Sequence, residues 1–288
     1  MKFAVHAGRA KVVSPDSTSM LDLERASGGR LPSDPNSCFA RWSEIVDFAN
    51  GARTFDEPCV ATELDAPSPH ARQVFGIGLN YRHHAEESNM PIPTAPLTFP
   101  KFPSSINSPF GDVVIDVPAG DFEAELVVVV GSGGRNIEAS RAWDAIAGIC
   151  VGQDISDRAL QFASQPPQFG LGKSRLGYSP FGPWLTSPDA VPNRDALQLS
   201  CHLNGEEMQS TNTNDLIFSV TDLVTYLSTI VELLPGDVIF TGTPGGIGAT
   251  RKPPRFLAPG DVLTTSLAGV ATITNTCVGR DVDTLVIG

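Results

Sequence analysis

Long apolar stretches are missing from this chain. The longest run, Leu126 to Val130, is far too short to span a bilayer, and the opening MKFAVHAGRAKVV has no apolar signal core. Neither a membrane span nor an export signal is expected. Cysteine is scarce and scattered: Cys38, Cys59, Cys150, Cys201 and Cys277 are odd in number and never spaced CxxC. That argues against a disulfide framework or a zinc cluster and for reduced thiols in a soluble, cytoplasmic protein. Bases are outnumbered, with 20 Lys and Arg against 32 Asp and Glu and a net charge of −12. Such a balance gives no general attraction to nucleic acid or to anionic lipid, so neither partner is expected. An anionic substrate would need a local cation, supplied by a metal or by a few placed Lys and Arg.

Several signatures are also absent. Gly172-Lys173-Ser174 lacks the earlier glycine of a P-loop, which falls at Pro167. The glycine cluster from Gly242 to Gly248 does not fit GxGxxG, and no GxSxG nucleophile elbow occurs. Nucleotide binding and serine-hydrolase chemistry are disfavoured.

What remains is a 288-residue chain with ordinary hydrophobic content (41%) and abundant glycine (27) and proline (24), a composition of many turns and short strands. Residues 1 to about 70 read as a small N-terminal domain with strands at Phe3 to Val5 and Lys11 to Val13 and a helical stretch from Cys38 to Asn50. Asp65 to His70 marks the boundary, and 71–288 forms the larger domain. Strand signals follow at Val113 to Val117, Glu125 to Val130, Leu197 to Leu203, Asp237 to Thr241 and Asp261 to Leu267, the last two each introduced by Pro-Gly-Asp. Helices are expected at Glu138 to Ile146 and Ser219 to Thr229. The fold class is α+β, dominated by β-structure.

The most informative segment is Asp121-Phe-Glu-Ala-Glu-Leu-Val-Val-Val-Val-Gly131. Its β-branched run predicts a buried strand, and the period of two puts Glu123 and Glu125 on one face. Two carboxylates side by side in a buried setting repel strongly unless a cation or a proton separates them. Taken alone, the pair is more often simply solvated. A third acid, Asp154, ends the apolar stretch Ile149-Cys-Val-Gly-Gln, and three such acids read as an open site for a hard divalent ion. Asp157 is the local competitor, with the following Arg158 as its expected partner. Lys173, on a glycine-rich segment read as unsuited to a helix, and Lys101 are weak signals singly. In Tyr81-Arg-His-His-Ala-Glu-Glu87, His84 and Glu87 share a helical face, which would suit a general base oriented by a carboxylate, with His83 turned elsewhere.

Together these segments resemble the fumarylacetoacetate hydrolase family. The matching pieces are Gly78-Leu-Asn-Tyr-Arg-His-His-Ala-Glu-Glu87, Phe99-Pro-Lys-Phe-Pro-Ser104, Glu123-Ala-Glu125, Gly152-Gln-Asp-Ile-Ser-Asp-Arg158 through Gln161, and Gly172-Lys-Ser174. They continue with Phe181-Gly-Pro-Trp184, Leu203-Asn-Gly-Glu206, Leu234 to Pro244 and Leu257 to Asp261, in the family's order. The resemblance implies a mixed β-roll-like catalytic fold, usually a homodimer, with Mg²⁺ or Mn²⁺ on Glu123, Glu125 and Asp154. It further implies His84 and Glu87 as a dyad on a lid, and Lys173 and Gln161 stabilising substrate charge. Lys101, Arg158 and Thr243 follow as substrate contacts. Ile77 stands where the family's mammalian namesake has a further aspartate ligand, which points to the acylpyruvate hydrolases and their bacterial relatives. The expected activity is hydrolysis of a C–C bond in a β-diketo acid such as an acylpyruvate or fumarylpyruvate. Oxaloacetate decarboxylation or keto–enol and diene-dioate isomerisation at the same site are the alternatives, and a non-catalytic binding protein on this scaffold is a third.

Overall fold

A computed structural model describes residues 1–52, 54–87 and 90–280; the end of the expected larger domain, 281–288, lies outside them. Two sheets dominate. The larger runs, in spatial order, through Glu57–Pro58, Ser19–Asp22, Arg9–Val13, Lys2–His6, Ser179–Thr186, Ile146–Gln153, Ala124–Val130, Val238–Phe240, Val74–Gly78 and Leu97–Lys101. Neighbours along this path are antiparallel except Val238–Phe240 with Val74–Gly78. The N-terminal strands join the rest through Lys2–His6, whose Lys2 and Phe3 pair with Thr186 and Leu185. The smaller sheet orders Glu206–Asn212, Gln198–Leu203, Val262–Leu267, Ala271–Val278 and Val113–Val114.

Strand Ala124–Val130 is buried along its whole length because it separates two cores. Ala124, Leu126, Val128 and Val130 face one that includes Ile149, Val151, Leu199, Leu263, Ile273 and the helix Val220–Ile230. Val127 and Val129 face another, shared with Phe3, Phe39, Ile45, Phe181 and Phe240. That explains an unbroken apolar run where a half-exposed strand would alternate.

Local chemistry accounts for several element ends. The helix Val220–Ile230 starts at Ser219, whose hydroxyl and Asp222 form a reciprocal capping box. Both Pro-Gly-Asp turns are built alike: Asp237 and Asp261 donate their N–H to Leu234 O and Ala258 O, each at 3.0 Å. Their carboxylates accept from the N–H of the same two residues. Gly236 (φ +87°) and Gly260 (φ +94°) supply the left-handed position such turns require.

Two expectations are corrected. Glu138 to Ile146 is not a helix: it holds two short 3₁₀ turns, Ala139–Arg141 and Trp143–Ala145, and Ile146 already begins the strand to Gln153. Ala145 O accepts from Gly131 N at 2.7 Å, so cross-strand bonding claims the backbone a helix would have used. The expected helix at Cys38 to Asn50 divides into Pro35–Phe39 and Trp42–Gly51. No helix among the described residues is long and apolar enough to cross a membrane.

Candidate metal and active site

Register brings the acids together. In the antiparallel pair, Glu125 lies opposite Gly152 and Ala124 opposite Gln153. One step further, Asp154 N donates to Glu123 O at 2.9 Å. Residues opposed across such a pair share a face, so Glu123, Glu125 and Asp154 converge, and Gly152 lets Val127, Phe181 and Phe240 pack closely, since a Cβ there would meet them at 2.8–3.0 Å. One oxygen from each of the three carboxylates lies within 4.8 Å of the other two, and all three residues are buried.

Counter-charges surround them. Lys173 Nζ donates to Glu123 Oε2 (2.7 Å) and Asp154 Oδ2 (2.8 Å). Lys101, its side chain fully buried behind Asp154, pairs with that residue's other oxygen. Arg158 donates from Nε to Asp121 Oδ2 (2.8 Å) and from Nη1 to Gln161 Oε1 (2.9 Å), while Nη2 sits 2.7 Å from Glu123 Oε1. Burial opposes ionising Glu123, but Lys173 and Arg158 outweigh it and hold that carboxyl near the bottom of the carboxylate range, at about 2. Glu125 has the N–H of Gly242 at 2.7 Å and, among the described residues, no ion-pair partner. Burial first, then Asp154 and Glu123, push its carboxyl well above the usual range. Four buried acids (Asp121, Glu123, Glu125, Asp154) thus face three buried bases (Lys101, Arg158, Lys173), and among the described residues Glu125 is the acid of the four without an ion-pair partner.

The backbone under the triad is clamped by two glutamines. Gln153 Oε1 accepts from Glu123 N (2.8 Å) while its Nε2 donates to Thr265 Oγ1 (2.8 Å). Gln209 Oε1 accepts from Ala124 N (2.9 Å), and its Nε2 donates to Thr243 Oγ1 (2.8 Å) and Pro244 O (3.0 Å). Thr243 in turn donates to Ala124 O at 3.0 Å. Replacing Gln153 with Leu leaves a buried N–H at the triad without a partner. The expected cost is about 1–3 kcal/mol in equilibrium unfolding.

Above this floor lies a cavity of about 330 Å³ whose walls include His84, Glu123, Arg158, Gln161, Lys173 and Thr243. His84 sits on the helix Arg82–Glu87, which is anchored by Asn80: its side chain donates to Thr241 O and Phe218 O and accepts from Phe218 N. His84 Nδ1 is buried without a hydrogen bond, 3.6 Å from Glu87 Oε1. Glu87 is fixed by Gly246 N and the Thr250 hydroxyl. Burial works against its ionisation, but His84, Thr250 and Gly246 prevail and keep the carboxyl below its ordinary range. His83 lines a separate cavity on the other side of Glu87.

Two local readings change. Arg158 does not pair with Asp157, which instead takes Arg175 at 2.7 Å and caps Leu160 N, freeing Arg158 for the triad. Lys173 does not leave an irregular loop: it closes a single helical turn, Phe169–Gly172. The glycine at 172 permits that turn, since a Cβ there would meet Asp157 O and Gln161 N at 3.0 Å. Asp121, Gln153 and Gln209 were given no role by the sequence. Asp121 also accepts from Gly248 and Ala249 N, tying the cavity's far loop to Arg158.

A β-rich fold carrying a buried carboxylate triad, counter-charged by Lys and Arg and overlooked by a His–Glu pair, defines a class of candidate metalloenzyme. The model for the fumarylacetoacetate (FAA) hydrolase C-terminal region matches residues 73–278, and the chain belongs to that family. It is 40% identical over 212 residues to the mitochondrial oxaloacetate tautomerase FAHD2A of Homo sapiens, covering 73% of this chain and 68% of that one. A solved candidate HpcE protein from Mycobacterium smegmatis superposes with a TM-score of 0.92 at 45% identity, over 98% of this chain and 100% of that one. The fumarylacetoacetate hydrolase of Exiguobacterium antarcticum gives 0.82 at 30%, over 97% and 100%.

Proposed function

We propose that the chain is a metal-dependent hydrolase of acylpyruvate-type 2,4-dioxo acids. The observation that carries this reading is the convergence of Glu123, Glu125 and Asp154 with one acid left uncompensated. A hard oxygen donor set with an unmatched negative charge fits Mg²⁺ or Mn²⁺ held by these three residues. Such an ion, when bound, would supply Lewis acidity to the oxygens of a 2-oxo acid.

The protein's own groups would do the rest. His84, held against Glu87, would take a proton from water as its oxygen adds to the C4 carbonyl. The C3–C4 bond then breaks, its electron pair goes to C3, and a proton there completes pyruvate beside the acid formed from the acyl group. Lys173 would balance negative charge developing at the oxo-acid end. Gln161, whose Oε1 is taken by Arg158, would present its NH₂ to substrate.

A second reading, keto–enol tautomerisation of oxaloacetate, is favoured by the name of the human relative. It uses the same floor and a proton transfer at C3 without cleavage. The two separate by product. Acetylpyruvate giving equal pyruvate and acetate supports hydrolysis, whereas an oxaloacetate absorbance change with neither CO₂ nor cleavage supports tautomerisation. Chelation should abolish either activity and Mg²⁺ or Mn²⁺ restore it; full turnover by a metal-free preparation would exclude the metal reading. A homodimer is also proposed from the family, and sedimentation velocity tests it.

A further inference from the structure

We infer that the part of the substrate remote from the oxo-acid is an uncharged, apolar tail, so that the preferred ligands are 2-oxo monocarboxylates rather than dioic acids. The inference rests on the 2-oxo-acid reading above and narrows it. The cavity is polarised by depth. Its charged walls, Glu123, Arg158 and Lys173, are 5%, 8% and 3% exposed and lie against the triad. Toward solvent the walls are Met90 (46% exposed) and Phe162 (55% exposed), with Ile77, Pro167, Phe169 and Ile247 between.

Among the described residues no Lys or Arg lines that outer part. The inner cations are already committed. Arg158 engages Asp121, Glu123 and Gln161 through three of its nitrogens, and Lys173 bridges Glu123 and Asp154. A second carboxylate seated beyond C4 would lose its water and gain no ionic partner, which is costly in an apolar setting. An alkyl tail there would exchange water for Phe, Ile, Pro and Met side chains, the favourable direction.

The test compares two six-carbon ligands that differ only at the far end. The Mg²⁺-loaded protein is titrated calorimetrically with pyruvate, 2-oxohexanoate and 2-oxohexanedioate, so that the readout is binding and not turnover. The expected result is 2-oxohexanoate binding at least about tenfold more tightly than 2-oxohexanedioate. In Met90→Lys, which places a cation on the outer wall, the ratio should fall several-fold. Equal or tighter binding of the dioate by the unaltered protein overturns the inference while leaving the oxo-acid reading intact. A ratio unmoved by Met90→Lys also overturns it, since the tail would then lie elsewhere. If pyruvate itself does not bind, the underlying reading fails and takes the inference with it.

Discussion

Replacing Glu125 with Gln is expected to abolish activity and yet make the metal-free protein more stable. Glu125 is the fourth acid among three bases, buried beside Asp154 and Glu123, and its carboxyl is held well above the ordinary range by burial and by those neighbours. A Gln keeps the shape and still offers an oxygen to Gly242 N, which now bonds Glu125 Oε2 at 2.7 Å. What it removes is the like-charge repulsion, a gain of about 1–2 kcal/mol of the kind seen when a functionally strained residue is neutralised. The sign with pH follows. An acid whose carboxyl is raised in the folded state contributes stability at low pH that disappears as pH rises through the folded value. A Gln has no such dependence, so the variant's advantage over the metal-free parent should widen from pH 5 to pH 8. Adding Mn²⁺ should raise the melting temperature of the parent through mass action and leave that of the variant nearly unmoved. Turnover with metal should fall by at least about a thousandfold, the equivalent of several kcal/mol of lost charge stabilisation. A variant less stable than the metal-free parent at pH 8 would mean that Glu125 is not the uncompensated charge.

The same residues show how far the sequence alone can be read. A period of two suffices to put Glu123 and Glu125 on one face, because every residue of a strand obeys it whatever the fold. Asp154 could be chosen as the third acid for its place at the polar end of an apolar stretch, though the register with Gly152 that delivers it to Glu123 becomes visible only in the sheet. Counter-charges were harder. Arg158 sits next to Asp157 in sequence but reaches Asp121, thirty-seven residues away, because the turn after Asp157 points the two side chains apart. Gln153 and Gln209 carry no composition signal, since an amide that braces a backbone looks like any surface glutamine until its burial is known. The segment from Glu138 to Ile146 holds helix-forming residues but is too short to sustain a helix against the strand that begins at Ile146. What was legible was periodic and local; what was missed was pairing across long separations and the choice between two local conformations of similar propensity.

Replacing His84 with Asn should divide the chemistry of the site. The imidazole is buried to 7% exposure, its Nδ1 lies 3.6 Å from Glu87 Oε1 without another partner, and Glu87 is itself held by Gly246 and Thr250. Glu87 is thus fixed while His84 Nδ1 makes no closed bond, the state of a base that completes its contacts only with substrate and water in place. Removing a general base costs about 10²–10⁴ in rate, so kcat for cleavage of acetylpyruvate should fall by that factor with KM nearly unchanged, since no substrate-binding charge is lost. Loss of a proton at C3 depends chiefly on the oxo-acid being gripped at the triad. Exchange of pyruvate C3 hydrogens with deuterated water, followed by NMR, should therefore survive in the variant far better than cleavage does. Equal losses in exchange and cleavage would assign His84 to the C3 proton instead of to water, and that outcome would move the whole reading toward tautomerisation. A Glu87→Gln variant should lie between, because Gln can hold the loop at Gly246 but cannot offset the charge on a protonated imidazole.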